Sequence, residues 1–111
     1  MSWGALLNDP TIIYAGTSAT FSAHLWNSGG TTATLMRVDV YRDDVKVYQQ
    51  TIPDLAGGST SYLFQLTGTF TASDVGQHHL MFRLVPLAGS TVTTVPPDTV
   101  APYTIFTAPA G

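Results

Sequence analysis

The chain has 111 residues, of which 10% are charged, with a formal charge of −3, no cysteine and no glutamate. A domain of this size buries roughly two-thirds of its unfolded surface and stands without staples. The missing cysteine excludes disulfides and thiolate metal sites, and four scattered basic residues argue against nucleic acid, which needs a clustered cationic face. Asp, Thr, Ser, Gly and Pro carry the polarity, a mix that favours strands joined by turns over helices. Residues 1–7 lack the basic start and the apolar length of a signal peptide, and no window approaches a bilayer span. The expectation is a single domain over 1–111, with its core within about 11–86, and no nucleic-acid or membrane partner.

In chain order, Thr11-Ile12-Ile13-Tyr14 between Pro10 and Gly16 reads as a first strand. Residues 17–26 alternate, with Ala19, Phe21, Ala23 and Leu25 on one face and Ser18, Thr20, Ser22, His24 and Trp26 on the other. That period of two marks a strand with one wet side. Asn27-Ser28-Gly29-Gly30 ends it, since Asn and Gly tolerate a tight reversal. Residues 34–42 place Met36, Val38 and Val40 opposite Leu35, Arg37, Asp39 and Tyr41, and Asp43-Asp44 then turns the chain into a hairpin with residues 45–52.

Pro53 closes that strand, Leu55-Ala56-Gly57-Gly58 forms a loop, and residues 59–66 give another strand with Tyr62, Phe64 and Leu66 on one face. Residues 67–75 read as a polar connection anchored by Phe70. Residues 76–86 follow with Leu80, Phe82 and Leu84 against His79, Met81, Arg83 and Val85. Both faces are partly apolar, so this strand is predicted to be central. Beyond Pro86, residues 92–95 and 103–106 read as strands around Pro96-Pro97, in an edge strand or extended arm over 87–111. The predicted core is Phe21, Leu25, Val38, Val40, Phe64, Leu80, Phe82 and Leu84. The pattern as a whole predicts an all-β antiparallel sandwich of about seven strands.

Trp26-Asn27-Ser28-Gly29, then Val38 through Val47 with its Asp43-Asp44 turn, then Ile52-Pro53-Asp54-Leu55-Ala56-Gly57-Gly58-Ser59, then Gly76-Gln77-His78-His79-Leu80 resemble the CARDB group, immunoglobulin-like domains related to cell adhesion in bacteria. The resemblance spans residues 17–86. It departs from the usual turn at Asp44, where a glycine is expected, and it leaves the tail after Pro86 unexplained. It implies an immunoglobulin-like fold and surface or adhesion work, and carries over no catalytic residue.

Chemistry is thinly represented. His78 and His79 are adjacent, so strand geometry sends them to opposite faces, and a zinc site would need His24, one of that pair and an aspartate. A calcium site at Asp43-Asp44 would need Asp39 or Asp74 beside it. No paired carboxylates, no Gly-x-Ser-x-Gly elbow and no phosphate-cradling loop at Gly57-Gly58-Ser59 are evident. The expectation is a non-enzymatic chain without cofactor or metal.

Aromatic side chains stack on sugars and anchor protein interfaces, so Trp3, Trp26, Tyr41, Tyr48, Tyr103 and Phe106 are the candidate interface residues. Residues 1–7 and 92–111 are too apolar for free tails and are expected to pack on their own domain or on a neighbour. Two functional expectations follow. The first is a structural module decorating a larger assembly, for instance a viral capsid, through a protein partner or self-association. The second is an adhesion or carbohydrate-binding module of a larger secreted bacterial surface protein. The corresponding location is a virion surface or a cell surface.

Overall fold

The computed structural model describes residues 1–109, so Ala110 and Gly111, the end of the predicted C-terminal arm, lie outside the described residues. Nine strands follow one another: β1 (Ser2–Trp3), β2 (Leu7–Asp9), β3 (Ile13–Tyr14), β4 (Ser18–Asn27), β5 (Met36–Arg42), β6 (Val45–Ile52), β7 (Thr60–Thr69), β8 (Gly76–Pro86) and β9 (Thr99–Phe106). A 3-10 turn, Ala72–Asp74, separates β7 from β8.

The strands form two sheets. In the first, β7 pairs antiparallel with the whole of β4, from Ser18↔Thr69 to Asn27↔Thr60. β1 and β2 must therefore lie end to end along the other edge of β4, where Trp3 meets Leu25 and Leu7 meets Ser22. The second sheet runs β3-β9-β8-β5-β6 and is antiparallel except for the β3–β9 pair. The chain is all-β, a sandwich of two sheets with β8 central between β5 and β9, as its two-sided apolarity predicts.

The alternation assigns the core. All eight predicted core residues are buried, with Leu25, Val38, Val40 and Phe82 at 0% exposure. Phe64 of β7 meets Phe82 of β8 edge-on across the two sheets, ring centres 4.9 Å apart at 77°. Phe70, expected as the anchor of the 67–75 connection, is buried against Phe21 and Tyr103. Met36, Ile52, Ile13 and Ile105 complete the layer.

The turns show why particular residues stand where they do. Asp43 and Asp44 take φ of +50° and +68°, the pair of left-handed values that a two-residue hairpin turn needs. Asp44 thus occupies the conformation for which glycine is expected, and Asp is among the few side chains that tolerate it. At the other end, Asn27 is buried. Its Nδ2 donates to the carbonyls of Thr31 (2.9 Å) and Leu55 (3.0 Å), while its Oδ1 accepts from the Gly29 amide (3.2 Å). Gly57 packs against the same loop so closely that a Cβ there would lie 2.4 Å from the Gly29 carbonyl oxygen. The Asn27 turn and the Leu55 loop are therefore two halves of one clasp.

Three expectations change. Residues 92–95 form no strand. Their approach is held instead by hydroxyls, with Thr91 Oγ1 donating to the Thr32 carbonyl (2.6 Å) and Ser90 Oγ to the Thr34 carbonyl (2.5 Å). The strand predicted over 103–106 begins at Thr99, and it is neither an arm nor the outermost strand, because β3 pairs beyond it at Ile13↔Ile105. The core is also wider than 11–86. Leu6, Tyr103 and Ile105 are buried, and Met1, Trp3 and Val92 pack against the cluster. These residues of the two ends cover their own domain, while Leu7, Val95, Val100 and Phe106 stay exposed.

Replacing Phe82 by Ala empties the centre of both sheets and should cost about 3–5 kcal/mol in urea denaturation, against a domain margin of about 5–15 kcal/mol. Asn27→Ala should cost about 1–3 kcal/mol, since it removes the three side-chain hydrogen bonds that tie the clasp, one of them buried. An Asn27→Ala variant as stable as the parent would contradict the clasp.

Candidate functional surfaces

Cross-strand partners share a face, so the register assigns each outward side chain. On the first sheet the solvent face carries Trp26 beside Ser61 and Ser2, His24 beside Leu63, Ser22 beside Gln65 and Leu7, Thr20 beside Thr67 and Asp9, and Ser18 beside Thr69. Hydroxyls pair across it at Ser18–Thr69 (3.0 Å) and Thr20–Thr67 (2.9 Å). The His24 and Trp26 rings lie 5.9 Å apart at 34°. Trp26 is 41% exposed, Leu63 also 41% and Leu7 64%, giving an apolar island among hydroxyls. Asp9 is the one acidic side chain on this face among the described residues, and Arg and Lys are absent from it.

The outer face of the second sheet is its electrostatic opposite. Asp39 is buried between the Arg37 Nε (2.7 Å) and the Lys46 ammonium (3.2 Å). Burial pushes the Asp39 carboxyl up, but the hydrogen bonds from Arg37 and Lys46 win and hold it below the usual carboxylate value. Arg83 pairs with Asp98 (3.0 Å), and its guanidinium lies 4.9 Å from the centre of the Tyr41 ring.

A third group sits at the end of the sandwich beyond the Asp43-Asp44 turn. His78 Nδ1 lies 2.6 Å from Asp43 Oδ2 and its Nε2 lies 2.6 Å from the Asp74 carbonyl oxygen, and the imidazolium form donates to both at once. The His78 ring stacks on Tyr103 at 5.3 Å. The His79 amide donates to Asp43 Oδ1 (2.9 Å), and His79 Nε2 lies 3.1 Å from Asp44. Arg42 donates to Asp74 at 2.7 Å. The adjacent histidines diverge as strand geometry requires, His78 stacking on Tyr103 and His79 turning to Asp44. Asp43 joins them by offering one oxygen to the His78 ring and the other to the His79 backbone amide. His78 and His79 also line a shallow cavity of about 450 Å³ with Gln77, Pro102, Tyr103 and Thr104.

This cluster does not assemble the metal sites considered from sequence. His24 stands on the other sheet, and Asp39 is taken by Arg37 and Lys46. Asp74 does come near Asp43, but through Arg42, which bridges them at 2.7 and 4.0 Å. Among the described residues, no group of three or more His, Cys, Asp or Glu is placed to hold a metal ion.

The six candidate aromatics divide. Tyr103 is a correction: at 7% exposure it belongs to the core, because β9 lies inside the sheet. Trp3 is another, half-buried with its ring 6.0 Å from Phe82 and its Nε1 buried without a partner. Tyr41 faces outward but lies half-buried against Arg83. Tyr48 is exposed but is not on the outward face. It pairs with Val40 on the core side, and β6 is the outermost strand of the wider sheet, where the first sheet does not cover it. Phe106 is exposed beside Tyr14, ring centres 6.3 Å apart, and Trp26 is exposed on the hydroxyl-rich face of the first sheet. The clustering of Tyr14 with Phe106 escaped sequence reading, since 92 residues separate two rings that only the parallel β3–β9 pair brings together.

The carboxylates make the fold acid-sensitive. His78 and the His79 amide hold Asp43 below its ordinary value, and the Thr71 amide and Arg42 do the same for Asp74. Asp39, Asp43 and Asp74 therefore bind protons more weakly folded than unfolded, so their contribution is complete above about pH 4 and is lost as pH falls through their lowered values. Urea midpoints should drop below about pH 4, and Asp74→Asn should make that drop shallower. A midpoint constant from pH 5 to pH 2 would contradict these contacts.

Neither curated proteins nor solved structures yield a match to this chain. The CARDB family model matches residues 6–89, from the segment between β1 and β2 to the loop after β8, and so takes in β2 through β8 and the Asn27–Leu55 clasp while leaving β1 and β9 outside. The chain belongs to the CARDB family, whose fold is non-catalytic and immunoglobulin-like.

Proposed function

We propose that this chain is a non-enzymatic adhesion module of a bacterial surface protein, and that it holds neutral carbohydrate on the solvent face of the β1/β2-β4-β7 sheet. The family match over residues 6–89 supports the adhesion reading, and lies nearer to it than to capsid decoration. The observation that carries the carbohydrate reading is the exposed Trp26 ring on a sheet face rich in hydroxyls and carrying the Gln65 amide. A sugar ring stacks its C–H face on an indole while its hydroxyls bond to Ser, Thr and Gln side chains. Ser61 lies directly across from Trp26 and His24 two residues along β4, with Ser22 and its partner Gln65 four residues along the same face.

The absence of cations from this face fits a neutral ligand, since an acidic glycan would require Arg or Lys. All four basic residues are engaged by aspartates elsewhere. On a glycan array the protein should retain neutral oligosaccharides. Trp26→Ala should weaken retention by about tenfold, or about 1.4 kcal/mol, without lowering thermal stability. Tyr48→Ala, on the other sheet, should leave it unchanged. An array with no neutral glycan retained, or retention indifferent to Trp26→Ala, would overturn the carbohydrate reading.

A further inference from the structure

The two sheets have four free borders, and three carry features that block strand addition. β1 and β2, of two and three residues, are too short and interrupted to template a partner, and Pro10 follows directly. β6 has a register shift opposite Val40/Tyr41, carries Lys46 and ends at Pro53. On the β9 side, β3 covers Ile105 and Phe106, and Pro102 interrupts the donors of the remainder. Short strands, bulges, lysine and proline are the usual means by which sheets avoid joining edge to edge.

β7 has none of them. Its ten residues, Thr-Ser-Tyr-Leu-Phe-Gln-Leu-Thr-Gly-Thr, include no charge and no proline, and its register with β4 runs through ten pairs without a shift. β4 is its one partner among the described strands, so its far side offers roughly 30 Å of unpaired backbone.

We propose that β7 is a self-association edge, pairing antiparallel with β7 of a second copy across a two-fold axis. Three observations favour a second copy over a foreign strand. The edge is uncharged, so two copies meet without repulsion, and it offers no charge pattern by which to select a different partner. The cations, with the aspartates that pair them, lie on or at the end of the other sheet. A two-fold axis normal to the sheet also preserves the alternation, keeping Phe64 and Leu66 on the core side and Leu63 and Gln65 on the solvent side in both copies. The two hydroxyl-bearing faces would then join into one continuous surface, β4-β7-β7-β4. A strand pair alone is a small interface, so association should be weak and visible at high protein concentration.

Sedimentation equilibrium of the whole chain, without sugar, tests this from micromolar to millimolar concentration. The average mass should rise from one chain toward two. The double variant L63K/Q65K puts four lysines across the junction from exposed positions that the fold tolerates, and should weaken dimerisation at least tenfold with an unchanged thermal melt. Val47→Lys on β6 should dimerise as the parent does. Amide exchange, which needs no variant, should show residues 60–69 protected as concentration rises and residues 45–52 unaffected. A single-chain mass at every concentration overturns the proposal. So does a dimer that survives L63K/Q65K or is lost in Val47→Lys, concentration-dependent protection confined to β6, or a β7 that takes up an extended peptide while the chain stays monomeric. Because no glycan is present, failure here leaves the carbohydrate reading standing, and the reverse holds as well.

Discussion

The edge-on contact of Phe64 with Phe82 joins the two sheets at their centre, and the rest of the molecule is arranged around keeping it dry. Phe64 is 1% exposed and Phe82 0%, and Trp3 covers Phe82 from the first sheet's other edge. For both rings to point inward, β7 and β8 must hold their pleat in phase, and each neighbouring strand inherits that phase through its register. Phe82 pairs with Val40 and Thr99, and Phe64 pairs with Ala23. Shifting one strand by a single residue would turn its whole apolar set outward. The small Ala23 opposite Phe64 leaves room for the large ring, a size alternation that dense packing requires.

With the interior given over to that contact, polar chemistry is confined to the ends and the outer faces. At one end Asn27, Leu55, Gly57 and Gly58 tie two loops together. At the other, His78 and Asp43 tie the β5–β6 turn to the start of β8. These are the places where the chain's characteristic turn residues collect, and their polar atoms are engaged with one another. They stabilise crossings between sheets and between strands. What remains free for a ligand is face and edge.

The distribution of charge separates the two outer faces. Arg37, Asp39, Lys46 and Arg83 share the outer side of the wider sheet, and the first sheet's outer side has hydroxyls, an indole and an amide in their place. Asp39 can be buried because two cations reach it at once, and either alone would leave a half-compensated charge out of water. This division gives one sheet an ionic, self-satisfied surface and the other a surface without Arg or Lys, open to hydrogen bonding.

Much of this was legible in the chain. A two-residue period over 17–26, 34–42, 59–66 and 76–86 is local information, set by the pleat and one dry side, and it determined the phase of these strands and all eight core residues. The turn residues are equally local, since positive φ is a property of Asn, Asp and Gly themselves. What local pattern could not carry is adjacency. That Tyr103 is interior, that Tyr14 meets Phe106, that Tyr48 faces coreward yet stays exposed, and that Asp43 gathers two histidines each depends on which strand lies beside which. That order is decided by long-range pairing and by the unequal widths of the sheets, and neither leaves a periodic trace in the sequence.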